Sequence, residues 1–295
     1  MAGAATSNRD PGADPMAVLR MPPLGDAEFR FISGFVGRHC GIVLGAQKRQ
    51  LVQGRLARRL RELGLADWRA YCARLEQQPD AEIDALVSAI STNVTAFFRE
   101  QHHFEFLRDE VLPALLVRPG APRLRLWSAG CATGEEPYTL AMVLAEVLER
   151  HGKPVDARIL ATDLSPQALT TAQHGVYRAD HVAGIDPARR KRWFEAGSGA
   201  RTGDLAVRPE LRELIAFRRL NLLDDWPMQG RFDAIFCRNV VIYFDKPTKV
   251  RLFSRFADQM TGKGHLFLGH SESMFGLSEA FALVGRTIYR REGGS

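Results

Sequence analysis

Long apolar runs are absent from this sequence of 295 residues. No stretch reaches the roughly 18 consecutive apolar residues that a membrane helix needs. The N-terminal residues, MAGAATSNRDPGADP, also lack the apolar segment of a secretory signal. We therefore expect a cytoplasmic protein without direct membrane insertion, with a flexible tail over residues 1–23.

Cysteine is also scarce, with four residues and no C-x-x-C pair: Cys40, Cys72, Cys131 and Cys237. Such scattered cysteines are typical of a reducing compartment, and they argue against a zinc site. We interpret all four as small buried apolar residues and predict no metal.

Positive charge is in excess, with a formal net charge of +6, while 45% of residues are hydrophobic. The composition is that of a globular protein whose partner is a nucleic acid, an anionic membrane or an acidic protein. In the segment QKRQLVQGRLARRLRELG, helical spacing places Arg55, Arg58 and Arg59 on one face. This face is either a solvated basic surface or a docking surface for an acidic partner.

Four short amphipathic segments predict an all-α domain over residues 24–92. A linker and helix follow over residues 93–122, with the helix predicted from His102 to Leu112 and Pro113 marking its end. The linker begins within STNVTAFFRE, which is either a helix terminus anchored by two phenylalanines or a ligand-facing hinge between two domains.

The segment LRLWSAGCATGEEPYTLAM has the order strand, glycine turn, helix that opens a doubly wound nucleotide-binding sheet. Gly130 lies in this turn, where the missing Cβ allows a ligand to approach the backbone. Glu135 and Glu136 occupy the first helical turn, where they would repel phosphate and attract a cation. The pattern therefore favours S-adenosylmethionine (SAM) over a dinucleotide, although a generic turn with solvated glutamates gives the same letters.

Two later strand ends carry candidate ligands. Asp163 ends a strand that begins near Arg158, where an acidic residue either accepts hydrogen bonds from a ribose or caps the next helix, with Ser165 as a further cap. Asn221 follows another strand, where it either binds an adenine edge or forms a simple turn.

The rest of the chain alternates strands with helices and predicts an α/β fold with a mostly parallel sheet of about seven strands. Residues 176–220 interrupt this pattern and predict a small antiparallel insertion whose hairpin arms are 204–207 and 215–219. A buried strand runs from Phe232 to Arg238 and Asn239 and is continued by residues 240–242. A final strand is predicted over residues 281–290.

Several blocks together resemble one family, the bacterial chemotaxis receptor glutamate methyltransferases of CheR type. The blocks are STNVTAFFRE, WSAGCATGEEPYTLAM, ATD, NLL, FDAIFCRNVVIYFDK and LFLGHSE. The resemblance implies a helical receptor-docking domain followed by a Rossmann-like SAM-dependent methyltransferase domain over residues 123–295. This domain would carry the small antiparallel β-subdomain.

The resemblance also implies functional residues at the matching positions. The SAM-binding residues would be Asn93, Thr95, Arg99, Glu136, Asp163, Asn221, Leu222, Arg238 and Asn239. Arg99 and Tyr243 would act near the reacting centre. The partners would be the cytoplasmic helices of chemoreceptors, and in some members the β-subdomain also binds a receptor's C-terminal pentapeptide. We expect a monomer that transfers a methyl group from SAM to receptor glutamates.

Two other functions are compatible with a basic SAM-binding protein. A nucleic-acid methyltransferase acting on exocyclic amines commonly carries Asn/Asp-Pro-Pro-Tyr after the fourth strand, whereas this chain has RNVVIYF there. We therefore expect no nucleic-acid substrate. A non-catalytic adaptor in a signalling array would bind SAM and receptor without transferring a methyl group.

Overall fold

The computed structural model describes residues 22–91, 94–119, 123–196 and 203–292. The chain divides into two compact units. Among the described residues, those up to Phe35 and Leu44–Ile90 form the first unit, and Val36–Val43 with those from Ser91 onward form the second.

The helices of the described chain are α1 (Asp26–Cys40), α2 (Arg49–Glu62), α3 (Trp68–Gln77), α4 (Pro79–Ile90), α5 (His102–Phe106), α6 (Leu112–Leu116), α7 (Glu135–His151), α8 (Pro166–His174), α9 (Pro187–Trp193), α10 (Pro209–Arg212) and α11 (Lys246–Asp258). The strands are β1 (Arg123–Ala129), β2 (Asp156–Asp163), β3 (Val176–Tyr177), β4 (Phe194–Ala196), β5 (Leu205–Val207), β6 (Ile215–Arg219), β7 (Phe232–Cys237), β8 (Met260–Leu268), β9 (Phe281–Gly285) and β10 (Ile288–Arg291).

The helical unit forms as its apolar spacing predicts. The buried positions of α2 are Val52, Leu56, Ala57 and Leu60, which recur at helical intervals along one stripe. Helix α3 begins after Asp67 because its side chain accepts a hydrogen bond of 2.8 Å from the N–H of Ala70.

The helix of the linker continues past Pro113, so its predicted end there is wrong. A π-helical turn over Leu107–Val111 separates α5 from α6. The N–H of Leu112 bonds the carbonyl of Leu107, and Pro113 then falls in the first turn of α6. A proline is tolerated there because the missing N–H is not needed by the new turn.

The second unit is built on a seven-stranded sheet with the order β6-β2-β1-β7-β8-β10-β9 among the described residues. The first five strands in this order run parallel, and β10 is antiparallel to both of its neighbours. Strand β1 faces both sides of the sheet, with Leu124 and Leu126 in one buried cluster and Trp127 in the other. The carboxyl ends of β1, β2 and β7 therefore meet at one edge, as the α/β prediction requires.

A second sheet of three short antiparallel strands has the order β3-β5-β4 and confirms the predicted small antiparallel β-subdomain. The predicted hairpin arm at residues 215–219 is wrong. It is strand β6 of the main sheet, parallel to β2, with Ile159 opposite Ile215. Its alternating Ile215 and Phe217 bury one face on the central core, which a hairpin at the surface would not provide.

Two predicted strands end earlier than the apolar pattern suggests. Residues 240–242 do not continue β7, because Asn239 has a φ of 59° and a 3₁₀ turn follows over Val241–Tyr243. The final strand is a hairpin of β9 and β10, whose turn has Thr287 at a φ of 55°. Neither left-handed position is a glycine, and the single Asn239 before an apolar run is a weaker turn signal than glycine.

Candidate active site

The glycine turn after β1 is fixed to the end of β2. The N–H groups of Gly130 and Cys131 donate to the carbonyl of Thr162 at 2.8 and 2.9 Å. Gly130 has a φ of 101°, and a Cβ placed there would lie 2.4 Å from Cγ2 of Val240. The turn thus needs glycine both for its backbone angle and for its close approach to the loop after β7.

Asp163 points its carboxylate at this turn from the end of β2. One oxygen accepts the N–H of Ala132 at 2.9 Å, and the other accepts the N–H of Ser165 at 2.8 Å. Burial raises the pKa of Asp163, although the backbone N–H groups oppose that change. Ser165 caps α8 by accepting a hydrogen bond from the N–H of Ala168. Capping of this helix by Ser165 is therefore compatible with the predicted ribose-binding role of Asp163.

Glu136 lies buried in the first turn of α7. Its two carboxylate oxygens accept hydrogen bonds from the hydroxyl of Ser128 at 2.7 Å and from Nη1 of Arg238 at 3.0 Å. Burial raises the pKa of Glu136, while the positive charge of Arg238 lowers it. The sequence predicted both Glu136 and Arg238 at the site, but not that they pair with each other.

A second carboxylate, Glu100, faces the same arginine. One oxygen lies 3.4 Å from Nη2 of Arg238, and the other accepts from Nδ1 of His270 at 2.9 Å. Burial alone would raise the pKa of Glu100, but the bond from His270 and the charge of Arg238 outweigh it and lower the pKa to about 2. Nη2 of Arg238 also donates to the carbonyl of Arg99.

Sequence reasoning missed Ser128, Glu100, His270 and the buried Glu272. All four lie within the blocks that carry the family resemblance. Their membership of these blocks is the signal that could have indicated them. Glu272 accepts hydrogen bonds from the backbone N–H groups of Asn239, Ile242 and Gly269. It therefore holds the loop in which predicted site residues lie.

The block STNVTAFFRE supplies three further predicted residues, and its residues 94–100 form an irregular segment with a turn. The guanidinium of Arg99 donates to the carbonyl of Val94 at 2.7 Å, and Thr95 is half-buried. Asn93 lies outside the described residues, so its predicted role stays a prediction.

Asn221 uses its amide within a turn. Nδ2 donates to the carbonyl of His39 at 2.9 Å and to Asp224 at 3.1 Å, while Oδ1 accepts from the N–H of Leu223. This is the turn that the sequence left open as the alternative to adenine binding. Leu222 beside it is buried, with 8% of its surface exposed. Because the amide of Asn221 is used within the turn, its contact with adenine stays a prediction.

The loop after β7 carries the last two predicted residues. Asn239 takes its left-handed conformation directly after Arg238, and Tyr243 ends the 3₁₀ turn. The carbonyl of Tyr243 accepts the N–H of Val43 at 2.8 Å. Together with Gly130, Glu136 and Asp163, this loop forms a site of acidic and amide groups at the carboxyl edge of the sheet.

The donor set fits SAM, which carries an ammonium, a sulfonium, a carboxylate and a ribose. Asp163 and the buried Glu136 are carboxylates, the kind of acceptor that ammonium and hydroxyl groups require. The buried Nε of Arg238 has no hydrogen-bond partner within the described residues and provides a donor toward an anion.

Comparisons with known proteins agree over the whole length of the fold. The family described as "CheR methyltransferase, SAM binding domain" matches residues 93–290, and its "all-alpha domain" matches residues 27–91. The chain belongs to the CheR methyltransferase family. The matched CheR domain is named for SAM, which identifies the enzyme class as a SAM-dependent methyltransferase.

Two relatives illustrate how complete the CheR match is. A "Chemotaxis protein methyltransferase" of Klebsiella aerogenes is 43% identical and covers 96% of each chain. The protein with the same name in Escherichia coli K12 is 42% identical over 90% of this chain and 91% of its own. A solved rRNA methyltransferase, aviRa from Streptomyces viridochromogenes, covers 68% of this chain and 87% of its own with a TM-score of 0.38 and 15% identity. So low a score carries no argument.

Within the helical unit of this CheR chain, the three predicted docking arginines differ in their surroundings. Arg59 donates two hydrogen bonds of 3.0 Å to the fully buried Glu82, and Nη1 of Arg55 donates to the carbonyl of Ile90 at 2.6 Å. The side chain of Arg58 is 82% exposed and contacts Glu62. Arg55 and Arg59 therefore stabilise the helical unit, and of these three arginines Arg58 is the most open to a partner.

No helix in the described part of the chain is long and apolar enough to cross a membrane. No group of three or more His, Cys, Asp or Glu residues in that part is arranged to hold a metal ion.

Proposed function

We propose that this CheR protein transfers a methyl group from SAM to glutamate side chains of chemotaxis receptors and thereby forms glutamate methyl esters in the cytoplasm. The observation that carries the proposal is the convergence of Gly130, Glu136, Asp163 and Arg238 at one sheet edge. The names of its full-length relatives, chemotaxis protein methyltransferases, support the receptor as the acceptor.

The cofactor would be held by groups already fixed in place. Asp163 would accept hydrogen bonds from the ribose, since its carboxylate is anchored by two backbone N–H groups beside the turn. Glu136 would hold the ammonium with the lone pairs that Ser128 and Arg238 leave available. Leu222 and Asn221 would frame the adenine.

The remaining residues would act on either side of the transferred group. Arg99 would bind a carboxylate, either that of SAM or that of the substrate, and Tyr243 would orient the acceptor. Thr95, Asn93 and Asn239 would complete the SAM site, as the family resemblance implies.

The reaction needs little acid–base chemistry from the protein. When bound, SAM supplies a methyl group that its sulfonium makes electrophilic. The acceptor glutamate has an ordinary pKa of about 4.3, so it is ionised at pH 7 and needs no general base. The chain's residues therefore contribute mainly alignment of the two reactants, an effect that can lower a barrier by several kcal/mol.

The receptor would approach through its acidic cytoplasmic helices. Arg58 would contribute to their attraction, with Arg55 and Arg59 acting mainly through the helical unit that they stabilise. The edge strands β3 and β4 of the small sheet offer a position for an added strand, should the receptor carry a C-terminal peptide.

A labelling experiment tests this function. The full chain is incubated with methyl-labelled SAM and a chemoreceptor cytoplasmic fragment, and alkali-labile methanol is measured after protein precipitation. We expect base-labile label on the receptor and none on nucleic acid added in parallel. Label on nucleic acid would instead support the rival methyltransferase, and SAM binding without any transfer would support the non-catalytic adaptor.

A further inference from the structure

Glu272 is a buried carboxylate that none of the expected roles uses. It follows β8, and 5% of its surface is exposed. Its Oε2 accepts the N–H of Gly269 at 2.6 Å and that of Asn239 at 2.8 Å, while Oε1 accepts the N–H of Ile242 at 3.1 Å. One side chain therefore bonds to two places in the loop after β7. These are Asn239, close behind the strand, and Ile242 in the 3₁₀ turn.

Two backbone hydrogen bonds also fold this loop, from the N–H of Tyr243 to the carbonyl of Val240 and from the N–H of Phe244 to the carbonyl of Val241. Asn239 has a φ of 59°, in the left-handed region that asparagine adopts more readily than most residues with a side chain. Buried N–H groups must find an acceptor, and a carboxylate is a strong one. Two of those N–H groups, at Asn239 and Ile242, belong to the loop itself and bond the same carboxylate.

The end of β8 is shaped to bring Glu272 to this position. A Cβ at position 269 would lie 2.5 Å from Nδ2 and 2.9 Å from the backbone nitrogen of Asn239. Glycine there lets β8 pass directly against the loop. The N–H of Glu272 bonds the carbonyl of Gly269 at 2.9 Å, and this tight turn points its carboxylate back at the loop.

We propose that Glu272 is a positioning residue for methyl transfer, which holds Asn239 on the cofactor side and the Ile242–Tyr243 turn on the acceptor side in their working geometry. The inference rests on the proposed function, because it gives the loop residues the roles stated there. Burial raises the pKa of Glu272 and four backbone N–H groups lower it, as expected for an acceptor enclosed by donors.

The arrangement makes glutamine a sharp probe. The amide of Glu272→Gln has one oxygen, which can remain on the side where Oε2 accepts two N–H groups. Its NH₂ then faces the N–H of Ile242, where two donors oppose each other. The substitution should thus preserve the Asn239 side of the loop and displace the turn that carries Tyr243.

The test compares turnover and cofactor binding in the full chain. For Glu272→Gln we expect kcat on a chemoreceptor fragment to fall by about tenfold or more, the lower bound for one charge-assisted hydrogen bond. The Kd for S-adenosylhomocysteine, measured by calorimetry, should change by less than about twofold, since the Asn239 bond is kept. Glu279→Gln, an exposed glutamate on the same segment, should change neither quantity.

Three results would overturn the proposal. They are normal kcat in Glu272→Gln, an equal loss of kcat and cofactor affinity, and loss of the folded structure in thermal denaturation. The last two would assign Glu272 to the fold rather than to the reaction. Glu272→Asp serves as a second variant, because its carboxylate accepts at both oxygens and should recover more kcat than the glutamine. If wild-type protein shows no receptor methylation, the proposed function fails instead, and the two failures are therefore distinguishable.

Discussion

Glu100 and His103 show how burial and neighbouring charge set the acid stability of the site. The pKa of Glu100 is lowered from 4.5 to about 2, because His270 and Arg238 outweigh the effect of burial. Burial and the charge of Arg238 lower the pKa of His103 from 6.5 to about 3. For each group the folded state loses stability relative to the unfolded state as the pH falls from the ordinary pKa to the lowered pKa, because the unfolded chain binds the proton first.

Glu100→Gln should remove the part of this stability that belongs to Glu100. The shift from 4.5 to about 2 corresponds to about 3 kcal/mol of unfolding free energy at neutral pH. The difference between wild type and variant should therefore be largest above about pH 5 and should shrink as the pH falls. Urea titrations at a series of pH values measure it.

The control for this prediction is Glu110→Gln, an exposed glutamate in the π-helical turn that follows α5, which should leave the pH dependence unchanged. A gap between wild type and Glu100→Gln that stays constant from pH 7 to the acid limit would show that Glu100 contributes by packing rather than by charge.

Asp163 allows a direct test of the cofactor site. Asp163→Ala should weaken the binding of S-adenosylhomocysteine by about tenfold or more, because charge-assisted bonds to the ribose would be lost. Asp156→Ala, at the opposite end of the same strand β2, should leave calorimetric affinity unchanged. Equal affinity in wild type and Asp163→Ala would remove the ribose assignment.

At the scale of single elements, the sequence predicted regular pieces well and their endings poorly. Helices α2 and α3, the turn at Gly130 and strand β2 follow from apolar spacing, caps and glycine, which act over a few residues. The loop after β7 did not follow, because the apolar run at residues 240–242 has the pattern of a strand and the bond that holds Asn239 comes from Glu272, 33 residues away in sequence.

The candidate site can be compared with the sequence in the same way. Glycine and acidic residues at strand ends indicated Gly130, Glu136 and Asp163 through general chemistry, and the resemblance added Arg238 and Asn239. The pairing of Glu136 with Arg238 was not predictable, because residues 102 apart in sequence meet only through the pairing of β1 with β7.

The need for glycine at position 130, in the turn before α7, can be compared with the need for glycine at position 152, directly after α7. Gly130 and Gly152 both have positive φ, 101° and 68°, but a Cβ at 130 would meet Val240 whereas one at 152 meets nothing within 4 Å. Both alanine variants should lose about 1 kcal/mol for the backbone conformation. Gly130→Ala should lose more and should also weaken cofactor binding.

Adding Val240→Ala to Gly130→Ala separates the two causes. The double variant should regain part of the lost unfolding free energy, since the collision with Cγ2 is removed while the backbone cost remains. Strict additivity of the two substitutions would show that the contact with Val240 does not limit this turn.

Helix α2 gives a prediction about stability rather than catalysis. Glu82 is fully buried and is paired with Arg59 and with Arg74 at 2.7 Å. Arg59→Ala leaves this carboxylate with one partner, so we expect a loss of about 1–3 kcal/mol in urea unfolding. The exposed Arg58→Ala should cost less than about 0.5 kcal/mol. Equal stability of the two variants would exclude the structural role of Arg59.

At the scale of the whole molecule, encounter with the receptor and binding of the cofactor should depend differently on salt concentration. The chain carries a formal charge of +6, and the proposed acceptor lies on acidic receptor helices. Long-range attraction between them is screened over about 10 Å at 0.1 M salt, so kcat/KM for receptor should fall several-fold as salt is raised. Arg58→Ala should raise the KM for receptor at low salt and flatten this dependence.

Cofactor binding provides the internal comparison for the salt experiment. The proposed cofactor-binding carboxylate Glu136 is 8% exposed, so screening should change the Kd for S-adenosylhomocysteine by less than about twofold over the same range. A receptor KM that is insensitive to salt would show that encounter does not depend on the basic charge. Parallel losses of receptor turnover and cofactor affinity would instead show that salt acts on the folded site, since screening of the encounter alone cannot reach buried ion pairs.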